Sequence, residues 1–129
     1  MDEPDRYEGG CHCGAVRFRL TLDRPDAVVA LDCNCSICTM KGFLHLIVSR
    51  DRFALLAGAD QLSVYRFNTR VAQHTFCRVC GIHPFYTPRS HPDGVDVNVR
   101  CLDDPELRQR LRIEPFDGRQ WEASIATIR

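Results

Sequence analysis

Apolar and polar residues alternate along most of this chain, and one segment shows the pattern over seven consecutive positions. Val16, Phe18, Leu20 and Leu22 fall on one side of an extended backbone while Arg17, Arg19 and Thr21 fall on the other, the period of two that a half-buried strand requires. The same reading predicts strands at Val28–Leu31, Phe43–Ser49, Leu62–Phe67, Val71–Phe76, Pro84–Tyr86 and Val95–Val99, bounded mostly by Gly, Pro, Asn or Asp. A helix is predicted only over Asp104–Leu111, with aspartate as N-cap, proline at the first helical position and an acid in the first turn. Asp117-Gly118 reads as a turn between Ile113–Phe116 and Trp121–Ile128, which would close the chain as a last hairpin. Short strands at this spacing predict a small all-β fold with one short peripheral helix.

Length and composition narrow the class. At 129 residues and 14.7 kDa the chain is predicted to form a single domain spanning residues 1–129. With 44% apolar and 26% charged residues it is an ordinary globular sequence, which excludes disorder, collagen and coiled coil. Lys+Arg 17 balance Asp+Glu 17, so the field that draws basic proteins to nucleic acid is absent. The polar start, Met1 to Tyr7, predicts no export signal, and no apolar run reaches the roughly 20 residues of a membrane helix; a cytoplasmic protein is expected.

Eight cysteines change the picture. Seven lie in three tight clusters, Cys11-His12-Cys13-Gly14, Cys33-Asn34-Cys35-Ser36-Ile37-Cys38 and Cys77-Arg78-Val79-Cys80-Gly81, with Cys101 apart. Thiolates separated by one or two residues can converge on one tetrahedral ion at about 2.3 Å, whereas a disulfide inside Cys-x-Cys would be badly strained. Zinc is therefore expected. The first and third clusters both end Cys-Gly, and glycine permits the turn that aims backbone N–H groups at sulfur. Pairing them gives a closed structural set, Cys11, Cys13, Cys77 and Cys80.

Cys33, Cys35 and Cys38 supply three ligands from one short segment, which leaves a fourth position for water or substrate, as at catalytic zinc. The alternative is that Cys101 or a histidine completes a second structural site. Three thiolates make a zinc ion a poor generator of hydroxide and a better partner for an incoming thiol, whose sulfur becomes nucleophilic at neutral pH. Asn34 and Ser36, between the ligands, could hydrogen-bond around them. His12 is expected to point away from the metal, His45 to be packed in the core or around the site, and His74, His83 and His91 are unranked candidates near an open position.

Gly10–Phe18, Cys33–Cys38 with Gly42 downstream, Phe76–Gly81 and Val99–Asp103 together resemble the glutathione-dependent formaldehyde-activating enzyme family, which includes centromere protein V. The resemblance spans roughly residues 7–103, and Gly81–Ser90 is similar to the centromere-protein-V-like branch. It implies the β-tent zinc-binding fold, structural zinc on Cys11, Cys13, Cys77 and Cys80, and catalytic zinc on Cys33, Cys35 and Cys38. It also implies a carbon–sulfur lyase that adds glutathione to formaldehyde, giving S-(hydroxymethyl)glutathione. Glutathione carries two carboxylates and an ammonium, so Lys41, Arg66, Arg70, Arg89 and Arg100 are candidate contacts. Phe76, Phe85 and Tyr86 are expected to shield the Cys₄ knuckle, and Trp121 to anchor the core. Two rival readings are a non-catalytic zinc module that docks protein or chromatin, for which the charge balance offers no basic stripe, and a redox pair at Cys77-x-x-Cys80, which lacks a βαβ pattern.

Overall fold

The computed structural model describes residues 5–24, 28–67 and 70–125. Among the described residues, ten short strands build three sheets. Strands β1 (Asp5–Gly10), β2 (Arg17–Leu22) and β5 (Phe53–Ala57) form an antiparallel sheet in the order β1-β2-β5. Strands β3 (Val29–Cys33), β4 (Leu44–Ser49), β8 (Phe85–Tyr86), β9 (Gly94–Asn98) and β10 (Arg112–Phe116) form a five-stranded sheet in the order β10-β3-β4-β9-β8. Strands β6 (Leu62–Tyr65) and β7 (His74–Cys77) make a separate antiparallel pair. Three short helices complete the described chain: α1 (Ser36–Lys41), α2 (Pro105–Arg110) and α3 (Trp121–Ser124). None of the described helices is long and apolar enough to cross a membrane.

The alternation in β2 behaves as the side-chain period dictates. Phe18, Leu20 and Leu22 are buried and Arg17, Arg19 and Thr21 are half-buried. The inward residues meet Leu46 of β4, Val95 and Val97 of β9 and Ala30 of β3 in the main core, which Leu107 and Leu111 close from the α2 side. Asp104 caps α2 as the sequence predicts, its Oδ1 accepting the Glu106 N–H at 2.9 Å. Phe18 anchors this core, fully buried, stacked on Phe53 and edge-on to Phe85. Phe18→Ala should cost about 3–5 kcal/mol of stability, measured as a shift in denaturation midpoint, because ring and cavity terms add.

The five-stranded sheet has a second face, and that face positions the site. Leu46, Val95, Val97 and Phe85 point into the core, so their sequence neighbours His45, Ile47, Asp96 and Tyr86 point to the opposite side, together with Leu31 and Cys33. They line a cavity of about 570 Å³.

The end of the chain differs from the expected hairpin. Strand β10 pairs parallel to β3, joining Arg112 to Val29 and Phe116 to Cys33, and the segment after it turns through a 3₁₀ bend at Gly118–Gln120 into helix α3. The last three residues of the predicted strand Trp121–Ile128 lie outside the described residues. Trp121, expected in the core, is half-buried and lines the cavity instead. Asp117-Gly118 is thus a turn, but Asn34 of the Cys₃ segment holds it. Asn34 donates from Nδ2 to Asp117 Oδ1 at 2.9 Å and accepts at Oδ1 from the Arg119 N–H at 3.0 Å.

Candidate functional site

Two thiol clusters form, each assembled as the spacing predicts. In the first, the Sγ atoms of Cys11, Cys13, Cys77 and Cys80 all lie within 4.8 Å of one another. Cys11 and Cys13 sit in the turn between β1 and β2, Cys77 ends β7, and Cys80 lies in the turn that follows. Gly14 and Gly81 take φ of 82° and 80°, left-handed conformations that glycine adopts without a Cβ penalty. These turns point N–H groups at sulfur: Val16 N–H donates to Cys11 Sγ at 3.3 Å. The backbone N–H groups of Cys80 and Val79 hold the Cys77 thiol below its usual pKa. Sulfur separations of 3.5 Å (Cys11–Cys13) and 3.7 Å (Cys13–Cys77) are far beyond a disulfide and close to the roughly 3.8 Å tetrahedral edge that 2.3 Å Zn–S bonds generate. Seen from its donors, the cluster fits a tetrahedral thiophilic cation.

The second cluster is Cys33, Cys35 and Cys38, again within 4.8 Å of one another. Cys33 ends β3 and Cys35 is the N-cap of α1, its sulfur accepting the Cys38 N–H at 3.4 Å. The helix sets Cys38 one turn on, so both sulfurs point the same way. Hydrogen bonds from the Cys33 and Cys38 thiols bring Cys35 down to about 2, while the contacts of Cys38 with Cys33 and then Cys35 push Cys38 far above the normal thiol range. Three sulfurs this close share protons poorly and accept a cation readily. Among the described residues no other Cys, His, Asp or Glu joins this set within 4.8 Å.

Cys101, weighed as a fourth ligand, does not approach it. The Cys101 thiol is directed to the His83 carbonyl at 3.8 Å, and burial, with the charges of Cys11 and Cys80, raises it to about 12. It neighbours the four-cysteine cluster instead.

The cavity opens above the three thiols. Its wall includes Ser36 and Ile37 of α1, the sheet residues His45, Tyr86 and Asp96, His74 of β7, and Arg89, Arg119 and Trp121. Of the five cations predicted for a charged ligand, Arg89 lines the cavity, lying over the Trp121 ring at 3.6 Å and pairing with Glu122 at 3.3 Å. Lys41 sits behind the wall, over the Phe43 and Tyr86 rings and 3.2 Å from His74 Nδ1. Arg66, Arg70 and Arg100 are exposed and do not border the cavity. Arg119 does, and the sequence reading missed it because only folding brings its turn against Asn34.

Phe85 packs against the Cys₄ knuckle as expected, whereas Tyr86 faces the Cys₃ cavity and Phe76 tilts over His83 at 5.3 Å. His12 is exposed, and His91 lines an adjoining cavity with Asp93 and Glu114, which shares Leu31, His45 and Ile47 with the first. Asn34 and Ser36 do not bond to sulfur among the described contacts; Asn34 bonds to the 117–119 turn.

The model of one family, described as glutathione-dependent formaldehyde-activating enzyme, matches residues 6–117, which include both thiol clusters. The chain belongs to this family. A Halomonas elongata protein that carries the provisional name glutathione-dependent formaldehyde-activating enzyme is 36% identical over 120 residues, covering 83% of this chain and 74% of its own. The crystal structure of a Rhodobacter sphaeroides protein superposes with a TM-score of 0.70 at 35% identity, covering 83% of this chain and 99% of that one. The formaldehyde-activating family match reaches beyond the 7–103 span of the sequence resemblance to include β10 and the Asp117 turn, the segment that packs on the Cys₃ cluster.

Proposed function

We propose that this protein joins the sulfur of glutathione, or a closely related small thiol, to formaldehyde in the cavity above Cys33, Cys35 and Cys38, and releases it in the reverse direction. The observation that carries the reading is a three-thiol cluster that no fourth Cys, His, Asp or Glu joins among the described residues, opening into a cavity of about 570 Å³, within the roughly 300–1,000 Å³ typical of small-molecule sites. The family match supplies the substrate pair.

Cys33, Cys35 and Cys38 would hold a zinc ion with an exchangeable position, and Cys11, Cys13, Cys77 and Cys80 a second, saturated one. The open ion would supply soft Lewis acidity that lowers the pKa of an incoming thiol. Arg89 and Arg119 on the wall would take the two carboxylates of glutathione, a task suited to guanidinium groups. Ile37, Phe67 and Phe116 would give the wall its apolar share. The segment Gly81–Ser90 contributes Tyr86, Pro88, Arg89 and Ser90 to this wall, so changes within it would bear on substrate choice. The reaction is a carbon–sulfur bond formation, hence lyase chemistry run in the synthetic direction.

The test combines metal content with turnover. Two zinc ions per chain are expected, one of them exchanging with chelator at a rate that glutathione changes. The protein should also accelerate exchange between ¹³C-formaldehyde and its glutathione adduct as followed by NMR. A single inert ion with no acceleration would overturn the reading.

A further inference from the structure

His45 and His74 line the cavity that holds the Cys₃ cluster, and they flank one ring: His74 stacks on Tyr86 at 4.8 Å and 12°, while His45 meets Tyr86 edge-on at 5.8 Å and 72°. Both histidines are only 4% exposed. Their hydrogen-bond partners differ in kind, and that difference sets their tautomers.

His45 Nδ1 lies 2.6 Å from Asp96 Oδ2. A carboxylate only accepts, so Nδ1 carries a proton, and in the neutral ring it is Nε2 that keeps the lone pair. The Tyr86 hydroxyl is the more distant partner of the same Nδ1, at 3.3 Å against 2.6 Å for the carboxylate, and burial, followed by the Asp96 charge, raises its pKa. Among the described residues His45 Nε2 is buried and without a hydrogen-bond partner, and so is Asp96 Oδ1. A histidine kept only for packing would be satisfied, because an unpaired buried polar atom costs about 1–3 kcal/mol. Here the orphaned atom belongs to a residue of the cavity wall, and its partner carboxylate fixes its orientation.

His74 is arranged in the opposite sense. Lys41 Nζ lies 3.2 Å from His74 Nδ1, and an ammonium only donates, so Nδ1 accepts and the ring proton is on Nε2. Burial, then the Lys41 charge, lowers His74 to about 4, so the ring is neutral at physiological pH and its N–H is a standing donor. At the wall of this cavity, among the described residues, the protein thus holds an unpartnered imidazole nitrogen buried behind the lining and an imidazole N–H, each oriented by a charged residue behind it.

We propose that His45 is the proton acceptor and His74 the oxyanion donor for thiol addition to a small aldehyde, with Asp96 and Lys41 as the positioning residues that set the two tautomers. This rests on the function proposed above. In the forward step His45 Nε2 takes the thiol proton, the sulfur lone pair forms the C–S bond, and the carbonyl π pair moves onto oxygen. That oxygen accepts a hydrogen bond from His74 Nε2–H. The proton then passes from His45 to the oxygen, giving the hydroxyl; His45 ends neutral and His74 keeps its proton throughout. This step calls for an aldehyde small enough for its oxygen to reach one histidine while its carbon reaches the sulfur beside the other.

The first test needs no turnover. Nitrogen-15 imidazole NMR of the purified full chain should show His45 protonated on Nδ1 and His74 protonated on Nε2, and Lys41→Met should abolish the fixed His74 pattern while leaving that of His45. Identical tautomers for both rings would overturn the proposal. Kinetically, His45→Asn keeps an N–H for Asp96 but has no Nε2, and should lower kcat about 10²–10⁴-fold with the KM for glutathione within about twofold. His74→Phe should lower kcat about 10²–10³-fold, whereas His74→Gln, which retains a donor near the Nε2 position, should recover most of that loss. Wild-type kcat in His45→Asn, or equal losses in His74→Phe and His74→Gln, would overturn the assignment. A parent protein inert towards glutathione and formaldehyde would sink the reaction class proposed above, and the tautomer measurement would still decide whether the two rings are poised as described.

Discussion

Replacing Cys77 with serine is expected to unfold the protein, while replacing Cys35 with serine should leave it folded and inactive. Cys77 is fully buried at the end of β7, with its sulfur 3.7 Å from that of Cys13 in the turn between β1 and β2. The four-thiol cluster therefore clamps the β6–β7 pair to the β1-β2-β5 sheet, reinforced on one side by Val16, Leu62 and Phe85. A two-stranded pair is marginal by itself, so this clamp decides whether it docks. Structural zinc on such ligands contributes on the order of 10 kcal/mol, comparable with the whole stability of a small domain, about 5–15 kcal/mol. Cys33, Cys35 and Cys38 come from one six-residue segment, and an ion on them ties together little that β3 and α1 do not already hold. Zinc analysis and thermal unfolding check the contrast: Cys77→Ser should lack a cooperative transition, and Cys35→Ser should lose one ion, keep a transition near that of the parent, and lose formaldehyde exchange. Melting of Cys77→Ser within a few degrees of the parent would refute the division of labour between the clusters.

Both clusters could be read in the sequence because their information is local. Sulfur spacing of one or two residues and a following glycine fix a knuckle whatever the rest of the chain does. The β2 alternation was legible for the same reason, as was the capped helix α2. Strand β1, Asp-Arg-Tyr-Glu-Gly-Gly, escaped notice because it sits at a sheet edge with one face polar and carries no apolar period. Helix α1 escaped because Ser-Ile-Cys-Thr-Met-Lys is short and its N-cap is a cysteine, a residue whose sulfur was assigned to metal rather than to capping. The parallel pairing of β10 with β3 is a non-local choice that no local turn signal specifies, and Asp117-Gly118 suits a 3₁₀ bend as readily as a hairpin. The candidate histidines show the limit most clearly. Alternation places His45 and Leu46 on opposite faces of β4, yet only the packing of Leu46 against Val97 and Phe18 shows that His45 faces the cavity. Arg119 and Trp121 reach the site only through that same non-local closure.

The Asp117 turn yields the second large effect, because Gly118 is where the end of the chain presses on the Cys₃ cluster. A Cβ added there would overlap Cys33 Sγ, closer than real contacts allow, and would lie a tight 3.1 Å from Cys35 Cβ. Three hydrogen bonds from Asn34 hold the turn: Nδ2 to Asp117 Oδ1 at 2.9 Å, Oδ1 from Arg119 N at 3.0 Å, and the Asn34 carbonyl from Arg119 Nε at 2.8 Å. The turn resists retreat, so the sulfur must yield. Misorienting a metal ligand through its support typically costs about 10–100-fold in affinity or activity, and displacing the ligand atom itself should cost Gly118→Ala at least about 100-fold in exchange rate, with loss of the Cys₃ ion. Stability should fall by only about 1–3 kcal/mol, the usual range for overpacking, because the Cys₄ clamp lies elsewhere. Combining it with Asn34→Ala frees the turn to back away and should recover part of the metal binding, a coupling that a double-mutant cycle reads directly. If Gly118→Ala retained the zinc content and rate of the parent, the turn would be no part of the site, and the parallel closure of β10 onto β3 would have to be explained by packing alone.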